Sequence, residues 1–157
     1  MIALGVAPGL AALSYAVLEH RDGVPPFLVD ADVLHGARGI TADEAWQILR
    51  RTRVHHLLLE TIVERYVPAV VVVGPPLRID EPASHVLAVR TVIGALARGI
   101  GVPCVEFYSH PDLLERLDTN ARGLPALVRQ KVPNFGQVRD KRLVLATGCA
   151  LSGLGST

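Results

Sequence analysis

Carboxylates are the side chains of this sequence whose spacing could support catalysis, because Asp and Glu oxygens bind the divalent cations used in phosphoryl chemistry. Asp30 and Asp32 alternate in one predicted strand, so they share a face and could pair on a metal ion. Asp80 and Glu81 follow a later strand, near where ligands from neighbouring strands would converge. The simpler interpretation of each pair is a solvated strand face or a polar loop, and we favour it.

A second set of chemically capable residues is basic. Residues 129–142 contain five basic side chains against one acid, Asp140. The basic residues are Arg129, Lys131, Arg139, Lys141 and Arg142. They could contact nucleic-acid phosphates, and an ordinary charged helix surface explains them equally well. Over the whole chain 16 basic and 15 acidic residues nearly cancel, so bulk charge does not indicate a nucleic-acid-binding protein.

Other classes of site find little support. Cys104 and Cys149 lie far apart in apolar segments, so we expect two reduced, buried thiols rather than zinc ligands. Glu106 is expected to be a hydrogen-bonded structural acid. The apolar runs are far shorter than the roughly 20 residues of a membrane span. With no signal-peptide pattern at the N-terminus, we expect a cytoplasmic protein.

Hydrophobic periodicity predicts the elements that position these residues. Three strands over residues 2–6, 12–19 and 26–34, joined by short turns, form an antiparallel meander. A long amphipathic helix begins at the capping box of Thr41 and Glu44 and ends before Pro68. The β-branched run 69–73 then predicts a strand that is buried on both faces.

Helices and strands alternate in the second half of the chain. Ser84 is expected to cap a helix ending at residues 99–101, and a strand follows over 102–108. Two short helices, each with proline near its first turn, precede a last helix. We place these helices at residues 111–117, 125–132 and 138–151. The order predicts one α/β domain over residues 1–157, with a mixed five-stranded sheet (three antiparallel strands, then two parallel) and helices on both faces.

This order is that of the ribonuclease H-like fold, and several motifs resemble a family within it. Residues 4–10 read Leu-Gly-Val-Ala-Pro-Gly-Leu and residues 14–17 read Ser-Tyr-Ala-Val. They resemble the opening of RuvC-type Holliday junction resolvases, where the pattern is Gly-Ile-Asp-Pro-Gly followed by Gly-Tyr-Gly-Val. Residues 102–107 and 138–147 resemble a later strand and the last helix of that family. Residues 72–77, Val-Val-Gly-Pro-Pro-Leu, are also similar to a signature of the YqgF (RuvX) family, which shares the fold and is linked to RNA processing.

The resemblance implies a site that cleaves phosphodiesters with two divalent metals held by several carboxylates. It places these acids on the first strand, at the end of the fourth strand and at the start of the last helix. In this chain the positions fall on Ala7, Gly74, Val138 and Lys141, and none is acidic. Asp140 is a candidate surviving acid. Because one carboxylate cannot hold two metal ions, we expect no bound metal cofactor and no intact catalytic site.

We therefore expect a catalytically degenerate RuvC-like protein that binds branched or structured nucleic acid, such as a Holliday junction, or a partner protein. The resemblance implies a homodimer with a role in DNA recombination or repair. One alternative is an active endonuclease that binds Mg²⁺ or Mn²⁺ through relocated acids. Its candidates are Asp30, Asp32, Asp80, Glu81 and Asp140. The other alternative is a structural or regulatory interaction module with no nucleic-acid role.

Overall fold

The structure is a computed structural model that describes residues 1–9, 12–35, 53, 56–57, 59–75, 83–136 and 138–155. The predicted capping box at Thr41 and Glu44 and the acidic pair Asp80 and Glu81 lie outside these ranges.

One mixed sheet forms the centre of the fold. Its strands are β1 (Ile2–Pro8), β2 (Ala12–Arg21), β3 (Val24–His35), β4 (Val70–Val73) and β5 (Cys104–Phe107). They are arranged in the order β3-β2-β1-β4-β5. The β1–β2 and β2–β3 pairs are antiparallel, whereas β1–β4 and β4–β5 are parallel. The predicted topology is confirmed.

The described helices are α1 (helical over residues 59–66), α2 (Ala83–Gly99), α3 (His110–Arg116), α4 (Leu124–Lys131) and α5 (Lys141–Leu154). A short 3-10 turn, Pro133–Phe135, separates α4 from α5. No helix among the described residues is both long and apolar enough to cross a lipid bilayer.

Two predicted helix starts were wrong. Helix α2 is described from Ala83, so Ser84 is a helical residue instead of the N-cap. The last helix begins at Lys141, and Val138 precedes it. The reason is local, since the Asp140 carboxylate accepts the backbone N–H of Arg142 and acts as the N-cap.

The two faces of the sheet bury separate cores. On the α5 face, β1 contributes the small residues Ala3 and Ala7 to a core shared with α3, α4 and α5. On the α1–α2 face, β1 contributes Leu4 and Val6 to a core shared with α1 and α2. Gly5 lies between these two alanines on the same face of β1. A Cβ added there would lie 2.0 Å from the carbonyl oxygen of Ala146 in α5. The backbone of α5 therefore lies directly against β1.

Candidate nucleic-acid interface

Three residues meet at the carboxyl end of the sheet. Ala7 lies near the end of β1, Gly74 follows β4, and Tyr108 follows β5. Backbone bonds hold these strand ends in register, because the N–H of Gly74 donates to Val6 O at 2.8 Å and the N–H of Tyr108 donates to Val73 O at 3.1 Å. We call Ala7, Gly74 and Tyr108 the carboxyl end.

Helix α5 starts on this side of the sheet. Cys149 lies under Gly74, and one turn later Gly153 packs on Val70 and Val72. The helix thus runs toward the amino end of β4, which puts its first turn on the carboxyl side. Lys141, the first helical residue, also lines a cavity of about 230 Å³ with His110, which lies just beyond β5.

Gly74 has no room for a side chain. A Cβ built on Gly74 would lie 2.3 Å from Cys149 Sγ, a separation that requires something to move. Cys149 is fully buried, and burial raises the pKa of its thiol to about 12. The prediction of a buried thiol at Cys149 is confirmed. The uncharged sulfur is a core group that fills the space beside Gly74.

Ala7 is also part of the core rather than of an open cleft. It is 5 % exposed and belongs to the cluster packed under α5. Its carbonyl oxygen accepts the hydroxyl of Ser14, itself buried, at 3.1 Å. A carboxylate at this position would have to be desolvated, which is costly without a cation or several hydrogen-bond donors.

Comparison with solved structures is informative, although no protein-family model and no curated protein sequence matches the chain. The chain superposes on Thermus thermophilus RuvC with a TM-score of 0.79 and 21 % identity, covering 97 % of this chain and 92 % of that one. Against T. thermophilus RuvC in complex with Holliday junction substrate the TM-score is 0.78, with 21 % identity and the same coverage, 97 % and 92 %. For the yeast mitochondrial Holliday junction resolvase it is 0.61, with 17 % identity, covering 96 % of this chain and 76 % of that one.

The chain has a RuvC-type ribonuclease H-like fold. The resemblance between the sequences therefore extends to the arrangement of strands and helices. The carboxyl end is the place where that resemblance puts the metal-binding acids.

Asp140, the candidate surviving acid, is held in a salt bridge with Arg142. Asp140 precedes Lys141, and both of its carboxylate oxygens are engaged by the Arg142 guanidinium, with the shorter contact at 2.6 Å. This hydrogen-bonded cation lowers the pKa of Asp140. Asp140 therefore stabilises the start of α5 and already has a cation as partner.

Asp30 and Asp32 have local partners as well. The Oδ2 atom of Asp30 accepts the phenol of Tyr15 at 2.9 Å and that of Tyr66 at 2.7 Å. Asp32 is exposed, and its Oδ1 accepts the backbone N–H of Val33. The prediction that Asp30 lies on a solvated strand face was therefore wrong, because its carboxylate links β3 to β2 and α1. Sequence reasoning missed this link, since Tyr15 and Tyr66 are distant along the chain.

A pair of hard cations would need several carboxylate oxygens around one point, and the described residues do not supply them. Among the ranges that the structure describes, no three His, Cys, Asp or Glu side chains gather closely enough to hold a metal ion. Glu106, next to the carboxyl end, accepts the phenol of Tyr108 at 2.7 Å, as expected of a structural acid. The residues at the RuvC-like ligand positions therefore do not fit a two-metal centre.

The predicted basic cluster is mostly exposed. Arg129, Lys131, Arg139 and Lys141 all face solvent. Arg129 donates to the carbonyl oxygen of Val138 at 3.3 Å and so links the end of α4 to the segment that leads into α5. Arg142 is half-buried in its pair with Asp140, so a phosphate-binding role would be carried by the other four.

Sequence reasoning missed Arg90, a cation beside the carboxyl end. Its Nη2 donates to the carbonyl oxygen of Tyr108 at 2.9 Å. Burial lowers the pKa of Arg90, while the nearby Cys149 and Asp112 act in the opposite direction. Nothing in the sequence singles it out, because it lies in an amphipathic helix as an ordinary charged residue would.

Proposed function

We propose that this protein binds branched nucleic acid, with a four-way DNA junction as the reference ligand, and does not cleave it. The observation that carries the proposal is the combination at the carboxyl end. A RuvC-type fold covers nearly the whole chain, while a thiol occupies the space that an acid at Gly74 would need.

The fold supports the binding half of the proposal. One of the similar structures is T. thermophilus RuvC in complex with Holliday junction substrate. In this chain the start of α5 presents exposed Arg139 and Lys141 on the carboxyl side of the sheet. Exposed cations of this kind bind backbone phosphates and make the affinity fall steeply with salt.

The residues at the ligand positions support the non-catalytic half. Ala7 and Gly74 provide no oxygen side chain, and Lys141 would bring a positive charge toward any cation bound there. Asp140 is already paired with Arg142. A dimeric state, a cytoplasmic location and the extent of the domain remain predictions from the sequence.

The test is a titration of a four-way junction and of a linear duplex of the same base composition at physiological salt. We expect the junction to bind at least about tenfold more tightly, a threshold set well below the roughly 10³- to 10⁷-fold by which specific sites exceed non-specific DNA. The double variant Arg139→Gln/Lys141→Gln should reduce the slope of log K against log salt by about 1.8, or about 0.9 for each lost phosphate contact.

Arg21→Gln is the matched control, because Arg21 is exposed at the opposite end of the sheet and pairs with Glu19. Its slope should equal that of the unmodified protein. Equal, weak affinity for junction and duplex would contradict the binding half and favour an interaction module without a nucleic-acid role. Junction cleavage by purified protein in Mg²⁺ or Mn²⁺ would contradict the non-catalytic half.

A further inference from the structure

Arg90 is fixed beside the carboxyl end by two contacts. Its Nη2 bonds the carbonyl oxygen of Tyr108, and its guanidinium carbon lies 5.8 Å from the centre of the Phe107 ring. The Phe107 ring is itself fixed, because it packs so closely on α2 that a Cβ at Gly94 would lie 2.1 Å from its Cζ. The guanidinium therefore rests on a rigid aromatic surface at the end of β5.

Within the part of the chain that the structure describes, most of the hydrogen-bonding capacity of this guanidinium is unused. An arginine side chain has five N–H donors, and the hydrogen bond that the structure gives Arg90 among the described residues uses one nitrogen. Its Nε is buried and has no hydrogen-bond partner there. The buried Nε is not accessible to a ligand, so an incoming acceptor would bind the Nη groups of this partly exposed side chain.

The charge of Arg90 is also not neutralised by a close ion pair with a described carboxylate. Asp112 is near enough to act on it electrostatically, but its carboxylate accepts both the backbone N–H and the hydroxyl of Ser109 in the capping box of α3. Cys149, the other neighbour, is held neutral by burial. Among the described residues, a net positive charge thus remains beside Tyr108.

We propose that the Arg90 guanidinium binds a backbone phosphate of the nucleic acid at the carboxyl end, where the resemblance to RuvC would place metal ions. A planar guanidinium offers two parallel N–H donors to phosphate oxygens, and it needs no carboxylate ligands to hold it. The proposal rests on the proposed function and names the residue that would replace the metal in attracting the phosphodiester.

The experiment compares Arg90→Gln, Arg90→Lys and Arg98→Gln in EDTA, so that no divalent cation contributes. Arg98 is the matched control, because it is exposed and lies on the same helix and along the same groove. Its position eight residues further on puts it about 12 Å along the helix axis from Arg90. Binding to the junction and to the duplex is measured over a range of salt concentrations, with urea unfolding of each variant as the check on folding.

We expect Arg90→Gln to weaken binding about tenfold and to reduce the salt slope by about 0.9, the loss of one phosphate contact. Arg90→Lys should keep the slope while losing part of the affinity, because it retains the charge without the paired donors. Arg98→Gln should change neither the affinity nor the salt slope.

Each other result is decisive. An unchanged slope for Arg90→Gln, whether or not affinity falls, would mean that Arg90 acts only through packing and would overturn the proposal. Equal slope losses for Arg90→Gln and Arg98→Gln would indicate a diffuse positive field and would also overturn it. If the unmodified protein bound junction and duplex equally while the slope still depended on Arg90, the proposed function would fail and the Arg90 site would stand. If it bound neither DNA, both would fail.

Discussion

The two faces of the sheet are packed by opposite means. On the α5 face, β1 presents Ala3, Gly5 and Ala7, and the helix backbone fills the space that side chains would otherwise occupy. On the α1–α2 face, β1 presents Leu4 and Val6, which pack against large side chains of α1 and α2. One face is thus held by close backbone approach and the other by interdigitated side chains.

This difference explains why the carboxyl end is poorly suited to metal binding. Ala7 and Gly74 both lie on the α5 face, where a larger side chain would meet the core under α5 instead of solvent. An acid there requires more than a change of residue type, because α5 must also make room. The other face can hold a half-buried polar group, as the Asp30 carboxylate between two phenols demonstrates.

The largest expected effect comes from Gly5→Ala. The new Cβ would lie 2.0 Å from Ala146 O and 2.4 Å from Ala150 N, which are backbone atoms of α5 and cannot rotate away. We expect a loss of about 3 kcal/mol or more in the free energy of unfolding, measured by urea denaturation, because overpacking here displaces a whole helix.

Gly99→Ala is the control for a glycine outside this packing. Among the residues that the structure describes, nothing lies within 4 Å of a Cβ at Gly99, the last residue of α2. Alanine should therefore be neutral or stabilise by up to about 1 kcal/mol through its higher helix propensity. A Gly5→Ala protein as stable as the Gly99→Ala protein would refute the close approach of α5 to β1.

The next effect is a coupling between Gly74 and Cys149. Gly74→Ala alone should cost about 1–3 kcal/mol, because its Cβ meets Cys149 Sγ inside the core. In a Cys149→Ala background the sulfur is gone, and the nearest atom becomes Val6 O at 3.4 Å, an ordinary contact. The double variant should therefore be more stable than the sum of the single changes predicts, by about 1 kcal/mol or more.

A double-mutant cycle of unfolding free energies measures this coupling. Cys149→Ala alone leaves a small cavity and should destabilise by an amount that is common to both arms of the cycle. Additive effects would show that the Cys149 side chain can rotate away from Gly74 without loss of stability. In that case Gly74 would not be closed to larger side chains.

The predictability of the fold also differs between regions. The strands and their directions followed from the period of the apolar residues, since the alternation in β3 indicates a half-exposed strand and the run of valines in β4 a strand buried on both faces. The start of α5 was misplaced by three residues because the pattern alone does not reveal that Asp140 caps the helix through its contacts with Arg142.

The site was less predictable than the fold, for a physical reason. Sequence motifs locate Ala7 and Gly74 along the strands and show that the acids are absent. They do not show that Cys149 fills the space beside Gly74 or that Arg90 reaches Tyr108 from α2. Both are contacts between elements distant in sequence, and no local spacing rule encodes them.

The smallest expected effect concerns the hydrogen bonds of Asp30 on the α1–α2 face. Tyr15 and Tyr66 donate to the same oxygen of Asp30. Burial and this hydrogen bond raise the pKa of Tyr15, and the hydrogen bond with Asp30, followed by burial, raises that of Tyr66. In the unfolded chain both phenols ionise near the ordinary value of about 10. The folded state holds more protons above that pH, so its stability is intact below pH about 10 and falls as the pH rises further.

Tyr15→Phe isolates this contribution. At neutral pH it should cost about 1 kcal/mol for the lost hydrogen bond. At pH 11 the free energy of unfolding of the unmodified protein is lowered by about 1 kcal/mol, because Tyr15 ionises more readily in the unfolded chain. The phenylalanine variant has no such loss. The stability gap between the two proteins should therefore narrow between pH 7 and pH 11 in urea titrations. Parallel pH profiles would mean that Tyr15 ionises as readily in the folded state as in the unfolded chain. The two faces would then differ in side-chain size but not in their ability to protect a buried polar group.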